Sequence, residues 1–309
     1  MARSYLCVSI DCECDKGAGW RSQRPLAFQG ITKGIGARLH PLFLRYGAKP
    51  TYLLSAEVMR DPSSVALLAG LAGAELGAHL HGEYAEPGAF EPEVTTVFQR
   101  DYPREVEAQK LAYLTELFAK VFGSKPTSFR AGRYGVGEHS IRLLEELGYT
   151  VESSVTPFMD WSSKGARGLS FLDAPTQPYR PSATDAGKRG SSQILEVPVT
   201  IRPRVLGRLP LVGKQIEPRW LRPTSGSPAS LVRLAKEEIA DATRARPEVP
   251  VVLNAMFHNV EVIPDASPYA ATESAATRIL GRLEALLAFA AREGIAVIGL
   301  SDVPGIFAW

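Results

Sequence analysis

Short apolar runs alternate with stretches of helical periodicity along the whole chain. The run Tyr5 to Val8 leads into Ser9-Ile10-Asp11-Cys12-Glu13-Cys14-Asp15 and predicts a first strand over 5–11. From Gly30 to Arg45, Ile31, Ile35, Leu39, Leu42 and Phe43 recur at helical spacing, and Gly47 ends the helix. A strand follows at Thr51–Leu54, a helix at about 63–72, and a strand over 75–81 that breaks at Gly82. After a loop over 82–102, Pro103 opens a long amphipathic helix through Val106, Leu111, Leu114, Leu117 and Val121 to Gly123. Proline in a first turn and glycine after a last one are start and stop signals. Strands are expected at 127–130, 149–155, 194–199, 249–257 and 296–300, and helices at 138–147, 229–243 and 273–293. The stretches 156–193 and 202–228 have no regular period.

Strands that alternate with helices imply a parallel sheet. The fold class expected is α/β, a distorted (β/α)7–8 barrel of parallel strands, since seven or eight such units favour closure over an open sheet. One domain over 1–309 is expected, with long insertions at about 156–193 and 202–228. No G-x-G-x-x-G follows the first strand and no G-x-x-x-x-G-K-[ST] occurs, which argues against dinucleotide and P-loop chemistry.

At 309 residues, 45% hydrophobic and 22% charged, the chain has the composition of a globular protein. A net charge of +2 gives no general case for a nucleic-acid partner. No signal-peptide pattern and no apolar run near the ~20 residues of a membrane span are present, so a cytoplasmic location without a transmembrane segment is expected. The three cysteines, Cys7, Cys12 and Cys14, crowd the first strand region, which fits a reducing compartment.

In barrels of parallel strands, chemistry collects at the C-terminal strand ends. Three of the five histidines, His79, His81 and His258, fall there. Strand alternation turns Asp11, Glu13 and Asp15 one way and Cys12 and Cys14 the other. His79 and His81, two apart, share a face. With Asp11 or Glu13 they form a two-histidine, one-carboxylate set that leaves coordination positions open, as a catalytic metal requires. The alternative is a pair of histidines hydrogen-bonded in a loop. Glu83 is a further candidate ligand. His258 is a candidate general acid. Arg130 is placed to hold a carboxylate ionised. His40 and His139 fall in helices and receive no role.

In that order the motifs resemble the polysaccharide deacetylase superfamily, the NodB-homology or carbohydrate esterase family 4 enzymes. Ser9-Ile10-Asp11-Cys12-Glu13 stands where that family has Thr-Phe-Asp-Asp. Glu75-Leu76-Gly77-Ala78-His79-Leu80-His81 resembles its Glu-(Ile/Leu)-Gly-x-His run. Phe129-Arg130-Ala131-Gly132-Arg133-Tyr134 loosely matches its Arg-x-Pro-aromatic turn, Asp160-Trp161 its Asp-Trp element, and Met256-Phe257-His258 its late histidine. The departures are Cys12 at the second aspartate, Glu83 four residues after His79 where a histidine is usual, and Gly132-Arg133 in place of the proline.

The resemblance implies a metal-dependent hydrolase that removes an N-acetyl group from an amino sugar or acetylated glycan or biosynthetic precursor. One divalent metal, zinc by preference, would be held by Glu13, His79 and either His81 or Glu83. Asp11 would be the base, supported by Arg130, with the Asp11 and Glu13 roles reversible. His258 would be the acid, tuned by Asp160, and Tyr134 and Trp161 would flank the sugar. The segment Arg202 to Arg222, with Arg204, Arg208, Lys214 and Arg219 and only Glu217 as an acid, suggests a phosphate- or lipid-linked substrate. The alternatives are a cyclic amide hydrolase of the same fold and a non-catalytic carbohydrate-binding relative.

Overall fold

The computed structural model describes residues 3–22, 24–89, 98–162, 165–166, 168–204 and 217–307. Among them, eight parallel strands form one sheet: β1 Ser4–Cys12, β2 Thr51–Leu54, β3 Glu75–Leu80, β4 Ser128–Ala131, β5 Val151–Glu152, β6 Leu195–Glu196, β7 Val251–His258 and β8 Ala296–Ile298. The order is β7-β1-β2-β3-β4-β5-β6, and β8 pairs with the start of β1. β1 pairs with three strands, β7, β2 and β8. It runs beside β7 from Ser4 opposite Val251 to Asp11 opposite His258. That register sets two candidate catalytic groups side by side.

The sheet curls into a half-barrel, in line with the distorted barrel expected from the sequence. The chain after β6 bends back onto β7. The Thr200 amide donates to the Asn254 carbonyl (3.0 Å), and the Asn254 side-chain amide donates to the Val197 carbonyl (3.1 Å).

Alternation sorts the side chains of β1. Leu6, Val8, Ile10, Cys12 and Cys14 face the surrounding helices, while Cys7 packs inside the curl against Leu53, Val151, Leu195, Val252 and Leu300. The helices are α1 His40–Arg45, α2 Ala56–Met59, α3 Pro62–Ala69, α4 Arg104–Phe122, α5 Ser140–Leu147, α6 Pro228–Ala245 and α7 Glu273–Arg292. α4 starts right after Pro103 and stops at Gly123, whose φ of +79° a residue with a Cβ adopts only at a cost. It buries Leu111, Leu114 and Phe118, each worth roughly 1.5–3 kcal/mol of transfer free energy.

The structure departs from the sequence pattern in three places. The helix expected over 30–45 is π-wound from Gly30 to Leu39 before α1. Gly30 and Gly34 press on the end of β7, where a Cβ would lie 2.6 Å from Asn259 Nδ2 and 2.9 Å from the Asn259 carbonyl oxygen. The strand expected over 149–155 narrows to Val151–Glu152, because Ser153 and Ser154 turn their hydroxyls to the Arg130 guanidinium and the Ala131 amide. The two irregular stretches also contain strands: a hairpin of Pro181–Ser182 with Asp185–Arg189, and a ribbon of Ile201–Arg202 with Arg219–Trp220. Arg208 and Lys214 lie outside the described residues. No helix among the described residues is long and apolar enough to cross a membrane.

Glu152 and Glu196 face each other in register between β5 and β6, both fully buried. Each has one oxygen without a hydrogen-bond partner. Burial, then the Glu152 charge, pushes the Glu196 carboxyl well above its ordinary value. A carboxyl raised on folding stabilises most below its unfolded pKa, and that stability is lost as pH rises toward the folded value. Glu196→Gln is therefore expected to flatten the fall in melting temperature from pH 4 upward, as read by thermal melts at stepped pH. A fall of the same steepness in wild type and variant would contradict this.

Candidate metal centre

Inside the curl lies a polar layer built around Arg130, which is fully buried. Its Nη1 donates to Asp11 Oδ1 (2.6 Å), its Nε to the Ser153 carbonyl (2.7 Å), and its Nη2 to Ser9 Oγ (2.7 Å) and Ser153 Oγ (3.0 Å). The Ser9 hydroxyl donates a hydrogen bond to Asn254 Oδ1 at 2.7 Å. A buried guanidinium is tolerable because its donors meet acceptors from β1 and from the chain after β5. Burial pushes the Asp11 carboxyl up, but Arg130, with His79 and His258, outweighs it and holds Asp11 below its ordinary value. Arg130 occupies Oδ1. Oδ2 faces the site, 3.9 Å from both His79 Nε2 and His258 Nε2.

Two residues on, Glu13 points the same way. Its main chain is clamped by Asn259 at the end of β7, which accepts from the Glu13 amide and donates to the Glu13 carbonyl, both at 3.0 Å. Asp15 does not continue the face. It accepts the Gln29 and Gly30 amides at the start of the π-wound helix.

His79, in β3, donates Nδ1–H to the Arg130 carbonyl (2.9 Å), which leaves Nε2 a lone pair. That lone pair faces Glu13 Oε1 at 3.4 Å, so two acceptors meet with no proton between them. His81 Nε2 reaches the same oxygen at 3.0 Å. Ligand atoms of Glu13, His79 and His81 lie within 4.8 Å of one another, all buried. This set fits a divalent ion, which supplies the positive charge that the facing acceptors lack. Burial lowers the His81 pKa, but Glu13 and Glu83 outweigh it and push it up to about 9. A proton on His81 thus does part of what a cation would do.

Arg133 holds Glu83 outside the Glu13–His79–His81 group. Its Nη2 holds Glu83 Oε1 at 2.6 Å, and that carboxylate lies behind His81, 3.3 Å from Nδ1. Arg133 and Tyr134 both have φ of 56° in the tight turn after β4. A Cβ at Gly132 would lie 2.6 Å from the Leu80 carbonyl and 3.0 Å from the His81 ring. The Leu80 carbonyl first, and the His81 ring beside it, leave no room for a side chain at this position.

His258 stands across from the ligands, its Nε2 3.7 Å from Glu13 Oε1. Its Nδ1–H donates to Glu261 Oε1 at 2.8 Å. Burial pushes Glu261 up, but Arg222 and His258 outweigh it and bring its pKa down to about 2. The carboxylate on His258 is thus Glu261, in the turn that follows β7. Asp160, expected in that place, accepts from the Ser162 amide (3.0 Å) and hydroxyl (2.5 Å) of its own turn. The Trp20 ring meets the His258 ring edge-on at 4.9 Å.

Tyr134 and Trp161 do come together, with ring centroids 5.2 Å apart, and Trp220 joins them at 5.8 and 6.5 Å. These rings, with Met159, Arg222 and Tyr269, line a cavity of about 810 Å³. The described arginines of the basic segment are largely engaged within the protein: Arg202 with Glu238 and Asp241, Arg219 with Glu237, and Arg222 with Glu261. Glu261, Arg222, Asn259, Trp20 and Trp220 were not singled out from the sequence. Only Glu261, three residues past His258 in a turn, left a local trace there.

No family model matches the sequence, and no curated protein matches it. Solved structures do. A probable polysaccharide deacetylase from Pseudomonas aeruginosa PAO1 superposes with a TM-score of 0.57 at 15% identity, covering 98% of this chain and 90% of that one. The PuuE allantoinase gives 0.56 at 16% identity, covering 98% and 89%. A GH57-type branching enzyme from Pyrococcus horikoshii gives 0.57 at 11% identity, covering 99% and 71%. These likenesses establish a shared fold.

Metal uptake at this centre must displace the His81 proton. Zinc binding at pH 7 is expected to release about one proton per ion, read by calorimetry in buffers of different ionisation enthalpy. Affinity should climb with pH up to about 9. Glu83→Ala should weaken binding by roughly 10–100-fold, as loss of a supporting partner does, and His81→Ala by more. Equal losses would move Glu83 into the ligand set.

Proposed function

We propose that this chain is a metal-dependent hydrolase that removes an N-acetyl group from an amino sugar or a related acetylated precursor. The observation that carries the reading is the placement of Asp11 Oδ2 between His79 and His258, beside the Glu13–His79–His81 set. A divalent ion held there supplies Lewis acidity, which makes water a better acid and an amide carbonyl more electrophilic.

Asp11 is the base. Arg130 fixes one of its oxygens and keeps the carboxylate ionised, so the free oxygen can accept a proton from water at neutral pH. His258 is the acid. Glu261 anchors its Nδ1–H, and Nε2 is left to carry a proton to the leaving amine. Glu261 is itself held by Arg222 and Thr224, so the imidazole is oriented through two layers. Tyr134, Trp161 and Trp220 offer aromatic faces against which a sugar ring stacks. A backbone amide near Tyr134 would assist the developing oxyanion. The shared fold with a probable polysaccharide deacetylase supports this choice of substrate class, and an allantoinase of the same fold makes cyclic amide hydrolysis the competing chemistry.

Acetate release from a panel of N-acetylated amino sugars, free and phosphate- or lipid-linked, tests the reading. Asp11→Asn is expected to keep zinc and lose about 10²–10⁴-fold in kcat, the range for a positioned base. Glu261→Gln is expected to lower kcat with little change in KM and to shift the alkaline limb of the pH–rate profile downward. Ring opening of a cyclic amide without acetate release would replace the deacetylase reading.

A further inference from the structure

Lys16 is a buried cation next to the candidate ligand set. Its side chain is 7% exposed, and its ammonium lies 2.8 Å from Glu13 Oε2. Cys14 Sγ is 3.9 Å away, and the Tyr84 ring centroid 5.4 Å. The main chain is fixed too: the Lys16 amide donates to the Ala266 carbonyl (3.0 Å) and its carbonyl accepts from the Arg21 amide (2.9 Å).

Charge accounting around the site gives this position its meaning. Four carboxylates around the site each have a cation: Asp11 has Arg130, Glu83 has Arg133, Glu261 has Arg222 and Glu13 has Lys16. The first three acids act around the candidate ligands. Within the Glu13–His79–His81 group, Glu13 is the member that also pairs with a lysine or arginine. Its oxygens are divided, with Oε1 toward His79 and His81 and Oε2 toward Lys16. A metal bound through Oε1 would share that carboxylate with an ammonium, and like charges so close repel strongly in a buried setting.

We propose that Lys16 is a resident competitor at the metal centre: it confines Glu13 to one-oxygen ligation and keeps metal affinity below that of an unopposed two-histidine, one-carboxylate set. The inference rests on the metal-centre reading above. Its consequence is an exchangeable ion, with positions open for water and substrate that a chelating Glu13 would fill.

The test is zinc affinity by chelator competition in wild type, Lys16→Gln and Lys16→Arg. Glutamine keeps a donor to Oε2 without charge, and arginine keeps the charge. Lys16→Gln is expected to bind zinc more tightly by on the order of tenfold or more, and Lys16→Arg to stay near wild type. Equal or weaker binding by Lys16→Gln would overturn the inference while leaving the metal centre intact. Zinc uptake by none of the three proteins would remove the metal-centre reading, and this inference with it. A zinc-loaded wild-type crystal gives a test free of folding defects: Glu13 should bind through Oε1 alone with Lys16 still on Oε2, whereas a chelating Glu13 with Lys16 displaced would overturn it.

Discussion

The structure depends on one buried ion pair, Arg130 with Asp11. Arg130 enters from β4 and reaches Asp11 on β1 across the inside of the curled sheet. A guanidinium in that position costs several kcal/mol to desolvate, and breaking such a pair typically costs about 3–5 kcal/mol. The polar layer exists to meet it: Ser9, Ser153 and Asn254 are hydrogen-bonded members of the same network. The Arg130 carbonyl also fixes the His79 tautomer, so one residue orients both the proposed base and a candidate ligand. The same layer ties β7 to the chain after β6, where the barrel lacks a ladder.

Above that layer, four carboxylates and four cations are matched pair by pair, and function depends on which pairs remain closed. In the proposed reaction Asp11 and Glu261 would work through their pairs, since an ionised base and an anchored imidazole both need a fixed carboxylate. Glu83 holds His81 from behind. Glu13 is the carboxylate that an incoming ion would have to share, through Oε1, with Lys16 still on Oε2. The centre is thus arranged around a cation that it partly supplies itself, through Lys16 and the His81 proton. An ion entering here works against local charges that a bare carboxylate site would not contain.

Much of this was legible in the sequence, because it depends on period and on strand ends. Alternation placed Asp11 with Glu13 and His79 with His81, and the parallel β/α pattern brought their strand ends together. Asp15 was misplaced because the strand ends at Cys12, and helix-capping geometry claims the carboxylate. Asp160 was expected beside His258 on the strength of an Asp-Trp motif, whereas Glu261 holds that ring from the turn after β7. The role of Lys16 follows from the loop that brings it against Ala266, a contact 250 residues away in sequence. Asn259 and Trp220 likewise act through register and ribbon pairing, which no local pattern encodes. The position of Glu83 behind His81 depends on Arg133, which pairs with it from a turn of positive φ that no local pattern encodes.

Metal content is the most direct test of the central claim, that Glu13, His79 and His81 hold one divalent ion on which the chemistry depends. Wild type and His79→Ala would be equilibrated with zinc, desalted and analysed by elemental mass spectrometry. The account predicts about one zinc per chain in wild type and loss of that zinc in the variant. Wild type that retains no zinc, or a variant that retains it in full, would contradict it.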